Sequence, residues 1–229
     1  MNIQEAEKII GVDFKDKSLL QTAFTHRSYL NENKGKVSEH NERLEFLGDA
    51  VLELVVTEFL FAKFPKRNEG DLTAFRASLV NTNTLSKIST ELGFNDFLLL
   101  SKGEAKDTGR ARSYILANTF ESVAGAIYLD QGYDAVQNFI ASNLFKELDE
   151  ILEKGLWLDA KSKFQEKAQE AFSYTPTYET IHQEGPDHDK SFTVIVSINN
   201  KEVARGKGKS KQEAEQSAAR QALEKNGWM

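Results

Sequence analysis

Between residues 41 and 64 the chain reads NERLEFLGDAVLELVVTEFLFAKF, with apolar side chains recurring every three or four positions until Pro65 stops the run. This spacing predicts a long helix, and the same grammar recurs through the first two thirds of the sequence. EAEKIIG (5–11) predicts a short helix closed by Gly11, and SLLQTAFTHRSYL (18–30) a longer one capped by Ser18. NENKGKVSEH (31–40) reads as a polar loop. GDLTAFRASLVNTNTLSKISTELG (70–93) predicts one or two helices opening near Asp71 and ending at Gly93. After a Gly/Lys-rich loop at 102–110, ARSYILANTFESVAGAIYLDQG (111–132) predicts another helix, and a last one runs from about Asp134 through Leu148.

From Asp159 the pattern changes. AKSKFQEKAQEAF (160–172) is helical, and TPTYETIHQEG (175–185) reads as a strand followed by a turn. SFTVIVSINN (191–200) alternates, with Thr193, Ile195 and Ser197 opposite Val194, Val196 and Ile198. Lys201 to Gly206 forms a third short strand, and SKQEAEQSAARQALEK (210–225) a helix capped by Ser210. Helix, three strands and helix make an α+β module with both helices on one sheet face. The boundary between the all-helical part and this module is expected near residues 150–158, giving domains 1–152 and 159–227 with a linker at 153–158.

Charge sharpens that division. The 229 residues carry a net charge of -6. Residues 1–155 hold 18 Lys/Arg against 24 Asp/Glu, whereas residues 156–229 hold 11 of each. A polyanion is therefore expected to dock on the C-terminal part, and the acidic part needs a counter-ion to approach phosphate. The absence of cysteine excludes disulfides and thiolate metal sites and fits a reducing, cytoplasmic setting. MNIQEAEKII has no long apolar run, so neither a signal peptide nor a membrane span is expected.

The candidate chemistry begins in the long helix. Glu42, Glu45, Asp49 and Glu53 fall within an arc of about 80°. Leu44, Leu47, Val51, Leu54 and Val55 occupy the opposite side, but Phe46, Leu52 and Val56 lie beside or within the acidic arc. Carboxylates in such surroundings repel one another and resist desolvation. Hard cations such as Mg²⁺ offset both costs, commonly with one or two carboxylates and substrate phosphate. The plainer reading is a wetted face with salt bridges, Arg43 being one candidate partner. Gly48, in mid-helix, hints at close packing beside the acids.

In ILANTFESVAGAIYLD (115–130), Asn118 and Glu121 share a face that Gly125 continues. Helices crossing at Gly48 and Gly125 would gather Glu45, Asp49, Asn118 and Glu121 around one point; an Asn/Glu pair facing solvent is the alternative. His26, on a mostly apolar run, is expected as a satisfied structural group rather than a general base. Arg205, Lys207, Lys209 and Lys211 alternate with Gly206, Gly208 and Ser210 ahead of the last helix. Small residues there would let the backbone approach phosphate, making this a nucleic-acid face, with a solvated turn as the other reading.

NERLEFLGDAVLE resembles the signature of bacterial ribonuclease III, with FTHRSY before it and EGDLTAFRASLVN (69–81) and GAIYLDQG (125–132) after it. DAKSKFQEKAQ (159–169) through GKGKSKQEAEQSAA (206–219) is similar to a double-stranded RNA-binding domain. The resemblance covers nearly the whole chain in family order. It implies an all-α endonuclease domain, obligately homodimeric, joined to an α-β-β-β-α domain. The implied activity is Mg²⁺-dependent cleavage of double-stranded RNA, leaving 5′-phosphate and 3′-hydroxyl ends with two-nucleotide 3′ overhangs, in rRNA or mRNA processing; Mn²⁺ is a possible substitute.

By the family pattern, Glu45, Asp49 and Glu121 correspond to metal-site carboxylates, with Asp49 and Glu121 catalytic. Glu42 and Glu69 match outer acidic positions, and Phe46 resembles an aromatic that packs across the subunit interface. Ser162, Gln165 and Glu166 match positions that reach the RNA minor groove. His188 falls in the loop that enters the next minor groove. Lys207, Lys209 and Lys211 complete the expected RNA-binding set, although Gln212 stands where the family commonly has lysine.

The clearest departure is Asn118, where the family generally reads Asp. Asparagine can ligate through its carbonyl but removes a negative charge. Natural tolerance, a weakened enzyme and a substitution engineered to trap substrate are the open readings, with retained activity and weaker Mg²⁺ binding preferred. The rival function is a double-stranded RNA-binding protein with little or no cleavage. A purely structural helical dimer fits the N-terminal part but not the C-terminal module.

Overall fold

The computed structural model describes the chain except for residues 34–38, 154, 156, 158, 187–189 and 229. It divides into two compact units, Met1–Trp157 and Leu158–Met229. The first is all-helical: α1 (Ile3–Ile10), α2 (Lys17–Ala23), α3 (Arg27–Glu32), α4 (Glu42–Lys63), α5 (Glu69–Leu79), α6 (Thr82–Glu91), α7 (Arg110–Gln131), α8 (Tyr133–Leu144) and α9 (Glu147–Glu153). Its core gathers Leu20, Phe24, Leu52, Val56, Phe75, Phe94, Phe120 and Ile127, all fully buried. Helix α7 is enclosed around most of its circumference from Ile115 to Ile127.

Two expected helices are broken by tertiary contacts. The run at 18–30 splits into α2 and α3, because Phe24–His26 is drawn out to pair with other backbone. His26 N–H donates to the Leu99 carbonyl at 3.0 Å, Leu99 N–H to Phe24 at 2.9 Å, and Asn41 N–H to buried Thr25 at 2.9 Å. The cap of α2 is Asp16 rather than Ser18; its carboxylate accepts from Ser18 N–H at 3.0 Å. The helix expected at 134–148 breaks at Phe145. That ring stacks on Phe59 at 3.6 Å between centroids, and buried Glu147 pairs with Lys87 at 2.7 Å. The segment 70–93 forms two helices, with Asn68 capping the first. Asn81 ends α5 by donating to the Ser78 carbonyl at 2.8 Å, and it opens α6 by accepting from Thr84 N–H at 3.0 Å. Trp157, expected in the linker, packs edge-on against Phe75 inside the first unit.

Leu44, Val51 and Val55 of the expected apolar side of α4 are buried, and Leu52 and Val56, beside the acids, are fully buried as well; Leu54, 57% exposed, is the member of the expected side that turns outward. The wall adjoining the acids enters the core because α7 packs on the Gly48 side.

The second unit comprises α10 (Ala160–Phe172), β1 (Thr177–Glu184), β2 (Ser191–Ile198), β3 (Lys201–Gly208) and α11 (Lys211–Lys225). The sheet is antiparallel in the order β1-β2-β3, and β3 runs two residues beyond the expected Gly206. Asn199 and Asn200 both have positive φ, 48° and 59°, the geometry a tight two-residue hairpin between β2 and β3 requires. Val194, Val196 and Ala204 meet Ala160, Phe164, Ala214, Ala218 and Leu223 in a small core of their own.

Candidate functional site

The acidic residues meet where α4 crosses α7. A Cβ on Gly48 would collide with the Glu121 carbonyl and lie 2.9 Å from Gly125 N; one on Gly125 would collide with the Leu44 carbonyl. Only paired glycines allow this approach, and it sets Glu45 and Asp49 beside Glu121. The N-terminal turn of α4 is held there by polar contacts the sequence reading did not single out. Asn41 is buried, and Ser122 Oγ donates to the carbonyls of Asn118 at 2.7 Å and Asn41 at 3.3 Å. Asn41 makes no side-chain cap bond to α4, so capping chemistry in the sequence does not mark these contacts.

The electrostatics follow from this crowding. Burial, followed by the charges of Asp49 and Glu45, pushes the Glu121 carboxyl up to about 8. Burial also raises the Glu45 carboxyl; a hydrogen bond from the Asn118 side chain opposes this, while Glu42 and Asp49 add to it. No cation offsets Glu121 among the described residues, its perturbers being burial and like charge alone. Neither do three His, Cys, Asp or Glu side chains among them form a ready-made metal cage. The site is thus a half-open set of three carboxylates and one amide, rich in hard oxygen donors and short of positive charge. That composition fits a divalent ion completed by solvent or phosphate rather than a closed protein cage.

The remaining acidic candidates separate. Glu42 lies at the rim, with Arg27 at 3.4 Å and His40 at 3.8 Å. It shares a cleft of about 880 Å³ with Asn118, His26, Arg27 and Tyr114. Glu69 opens α5 and is absent from the charges acting on Glu45 and Glu121; it lines a mostly apolar recess with Leu60, Phe61 and Leu72. His26 caps α3, its Nδ1 lying 2.8 Å from Ser28 Oγ, and burial keeps its pKa below the usual value. Phe46 is 83% exposed and begins an outward stripe of α4 that continues through Ala50 and Leu54 to Phe61.

In the second unit, Ser162, Gln165 and Glu166 share the exposed face of α10. His188 lies outside the described residues. The basic residues divide between β3, which carries Arg205 and Lys207, and the turn into α11, which carries Lys209 and Lys211. A Cβ on Gly206 would collide with the backbone of Ala218 and Ala214, and one on Gly208 would lie 2.7 Å from Glu213 Cβ. These glycines seat β3 against α11 instead of admitting phosphate. Strand alternation turns Arg205 and Lys207 away from α11, and Arg205 pairs with Glu202 at 2.6 Å. Lys209 and Lys211 flank Ser210, which caps α11 by accepting from Glu213 N–H at 3.1 Å; Glu213 in turn accepts from Lys209 N–H at 2.8 Å. This reciprocal cap fixes the strand-to-helix turn.

The two units correspond to two known families. Residues 16–148 match the family described as ribonuclease-III-like, and residues 160–226 match the double-stranded RNA binding motif. The ribonuclease 3 of Geobacillus thermodenitrificans is 47% identical over 221 residues, covering 96% of this chain and 89% of that protein. The ribonuclease 3 of Bdellovibrio bacteriovorus is 44% identical, covering 95% and 93%. The crystal structure of the nuclease domain of ribonuclease III from Campylobacter jejuni superposes with a TM-score of 0.57 at 43% identity, covering 64% of this chain and 95% of that one. The chain belongs to the ribonuclease III family.

Proposed function

We propose that this protein is a divalent-metal-dependent endonuclease acting on double-stranded RNA. The observation that carries the reading is the cation-poor carboxylate centre at the α4–α7 crossing, on the same chain as a double-stranded RNA-binding fold. Glu45, Asp49, Glu121 and the carbonyl of Asn118 would hold Mg²⁺, with Mn²⁺ as a substitute. When bound, the ion supplies Lewis-acid chemistry that activates water and offsets charge at the scissile phosphodiester. The chain's own groups do the rest. Glu121 surrenders the proton its surroundings favour, Asn118 positions Glu45 through its amide, and Asp49 keeps the open side of the set acidic.

The products proposed are 5′-phosphate and 3′-hydroxyl ends with two-nucleotide 3′ overhangs, from precursor rRNA or mRNA in the cytoplasm. No helix among the described residues is long and apolar enough to cross a membrane. The exposed stripe from Phe46 to Phe61 borders the acidic edge of α4, and the recess at Leu60, Phe61 and Leu72 has a volume of about 430 Å³. Both support a homodimer, and a related Campylobacter jejuni structure is described as flexible in a region involved in dimer formation. Ser162, Gln165, Glu166, Lys207, Lys209 and Lys211 are the proposed RNA contacts, and Glu42 and Glu69 the outer acidic ones.

Asn118 favours a second reading, a duplex-binding protein with weak or no cleavage, because its amide donates to Glu45 where a carboxylate would add charge. A Mg²⁺ titration with end-labelled duplex RNA separates the two. Short, overhanging products support the nuclease, and tight binding of intact RNA at saturating Mg²⁺ or Mn²⁺ supports the binder. A large gain in rate for Asn118→Asp would show that the amide limits chemistry.

A further inference from the structure

The chain leaves the first unit under restraint. Helix α9 is pinned: Leu148 and Ile151 are buried, and Lys87 Nζ pairs with Glu147 at 2.7 Å and Glu150 at 3.4 Å. Gly155 then turns the chain, with φ 59° and its N–H donating to the Leu152 carbonyl at 3.1 Å. Glycine adopts that left-handed conformation without strain. Past the turn, Trp157 packs on the core and meets fully buried Phe75 edge-on, 4.8 Å between centroids and 79° between planes. Rings in this arrangement attract through their quadrupoles as well as by burying apolar area. Phe75 belongs to α5, the helix that Glu69 opens.

The second unit starts just as firmly. Asp159 caps α10 by accepting from Ser162 N–H at 3.2 Å, and the same oxygen accepts from Gln216 Nε2 of α11 at 2.8 Å. Ala160 is fully buried. Trp157 and Asp159 are therefore anchored in different units with a single residue between them. Two residue steps reach at most about 7 Å, whereas the six from Glu153, the last residue of α9, would reach about 20 Å. The difference, about 13 Å, amounts to several steps of a nucleic-acid duplex, each on the order of 3 Å.

We propose that Trp157 is a clasp: by docking on Phe75 it shortens the tether of the RNA-binding unit and so fixes where along a bound duplex the carboxylate centre cuts. This rests on reading the protein as a double-stranded RNA endonuclease. Trp157 is a positioning residue, acting through the chain that joins recognition to chemistry. A tether three times longer lowers the effective concentration of the acids at a bound duplex by about 5-fold, following the −3/2 power of length. The same slack lets the acids reach neighbouring phosphodiesters, so the cuts spread.

The test places the same flexible Gly-Ser insertion, about four residues long, on either side of the clasp in the full chain. Between residues 155 and 156, upstream of Trp157, the docked indole isolates the slack. The cleavage pattern on an end-labelled duplex with one preferred site should then match the native one. Between residues 157 and 158, the insertion should spread the cuts over neighbouring positions and lower kcat/KM by about 5-fold, while affinity for the duplex in EDTA holds. Trp157→Ala should behave like the downstream insertion, and Trp157→Phe should largely restore the native pattern. Equal patterns from the two insertions overturn the proposal. A second measurement does not depend on cleavage. In a Trp228→Phe chain Trp157 is the sole indole, and its fluorescence should be blue-shifted and shielded from acrylamide. Solvent-like emission overturns the clasp. Failure of the native chain to cut with Mg²⁺ or Mn²⁺ while that indole is shielded would instead overturn the nuclease reading and uphold the clasp.

Discussion

Both units press backbones together with a pair of glycines, and the two results differ. At Gly48 and Gly125 the close approach carries Glu45, Asp49 and Glu121 into one half-buried neighbourhood. At Gly206 and Gly208 it seats β3 on α11, while strand alternation sends the charged neighbours Arg205 and Lys207 outward. Helical spacing puts side chains at i and i+4 on the face that makes the contact; strand spacing puts successive side chains on opposite faces. The first unit therefore accumulates unfavourable charge at its crossing, and the second keeps its charges hydrated.

The sharpest way to break this comparison is to neutralise the crossing. Asp49→Asn or Glu121→Gln should lower cleavage of duplex RNA by on the order of 100-fold or more, since a bound ion contributes several kcal/mol to such a transition state. Binding of the same RNA in EDTA should change little, because the second unit carries the proposed contacts. Comparable loss of binding in EDTA would place the acids in recognition instead.

Next in size is the packing itself. Gly48→Ala should destabilise the first unit by about 1–3 kcal/mol, the usual cost of forcing extra volume into a packed contact. Gly206→Ala should do the same to the second unit, which has its own core. Two-probe thermal unfolding checks this: each substitution should lower one transition and leave the other in place.

A third test is the pH dependence of stability without divalent ions. The Glu121 carboxyl sits at about 8 in the folded chain against an ordinary 4.5. Below 4.5 both folded and unfolded chains hold the proton, and the favourable contribution is fully present. Between 4.5 and about 8 the unfolded chain has released it and the folded chain has not, so raising the pH draws stability away until the folded group also ionises. Denaturant midpoints should therefore fall across that window, Glu121→Gln should flatten the fall, and Mg²⁺ should counteract it at the alkaline end. A native profile that is flat from pH 5 to 8 would contradict the crowding.

The smallest effect belongs to the second unit's surface. Arg205 and Glu202 are both exposed, and such pairs contribute little. Arg205→Ala should shift stability by less than about 1 kcal/mol, as read from chemical denaturation.

Much of the architecture was visible in the residue pattern. The extents of α4, α7 and α10, the alternation of β2, the Ser210 cap and the α-β-β-β-α order all arise from interactions within a few residues, where periodicity and capping chemistry act. The glycines at 48 and 125 even pointed to the crossing, because a mid-helix glycine is unfavourable unless something needs the space. Where that local grammar failed, a distant partner intervened. Leu99 opened the run at 18–30, Phe59 and Lys87 interrupted the helix after 134, and α11 took the space at Gly206 and Gly208 that had been assigned to phosphate.

What this chain owes to its amino-acid order alone is its inventory: which segments are helices or strands, which faces are acidic, and that a helical unit precedes an α+β unit. Tertiary structure decided what those faces meet. It raised Glu121 by enclosing it beside Asp49 and Glu45, and it turned the Asn118 amide onto Glu45. Periodicity is set by bonds between near neighbours, whereas a carboxylate's proton affinity depends on solvent exclusion and on charges brought close only when distant helices pack.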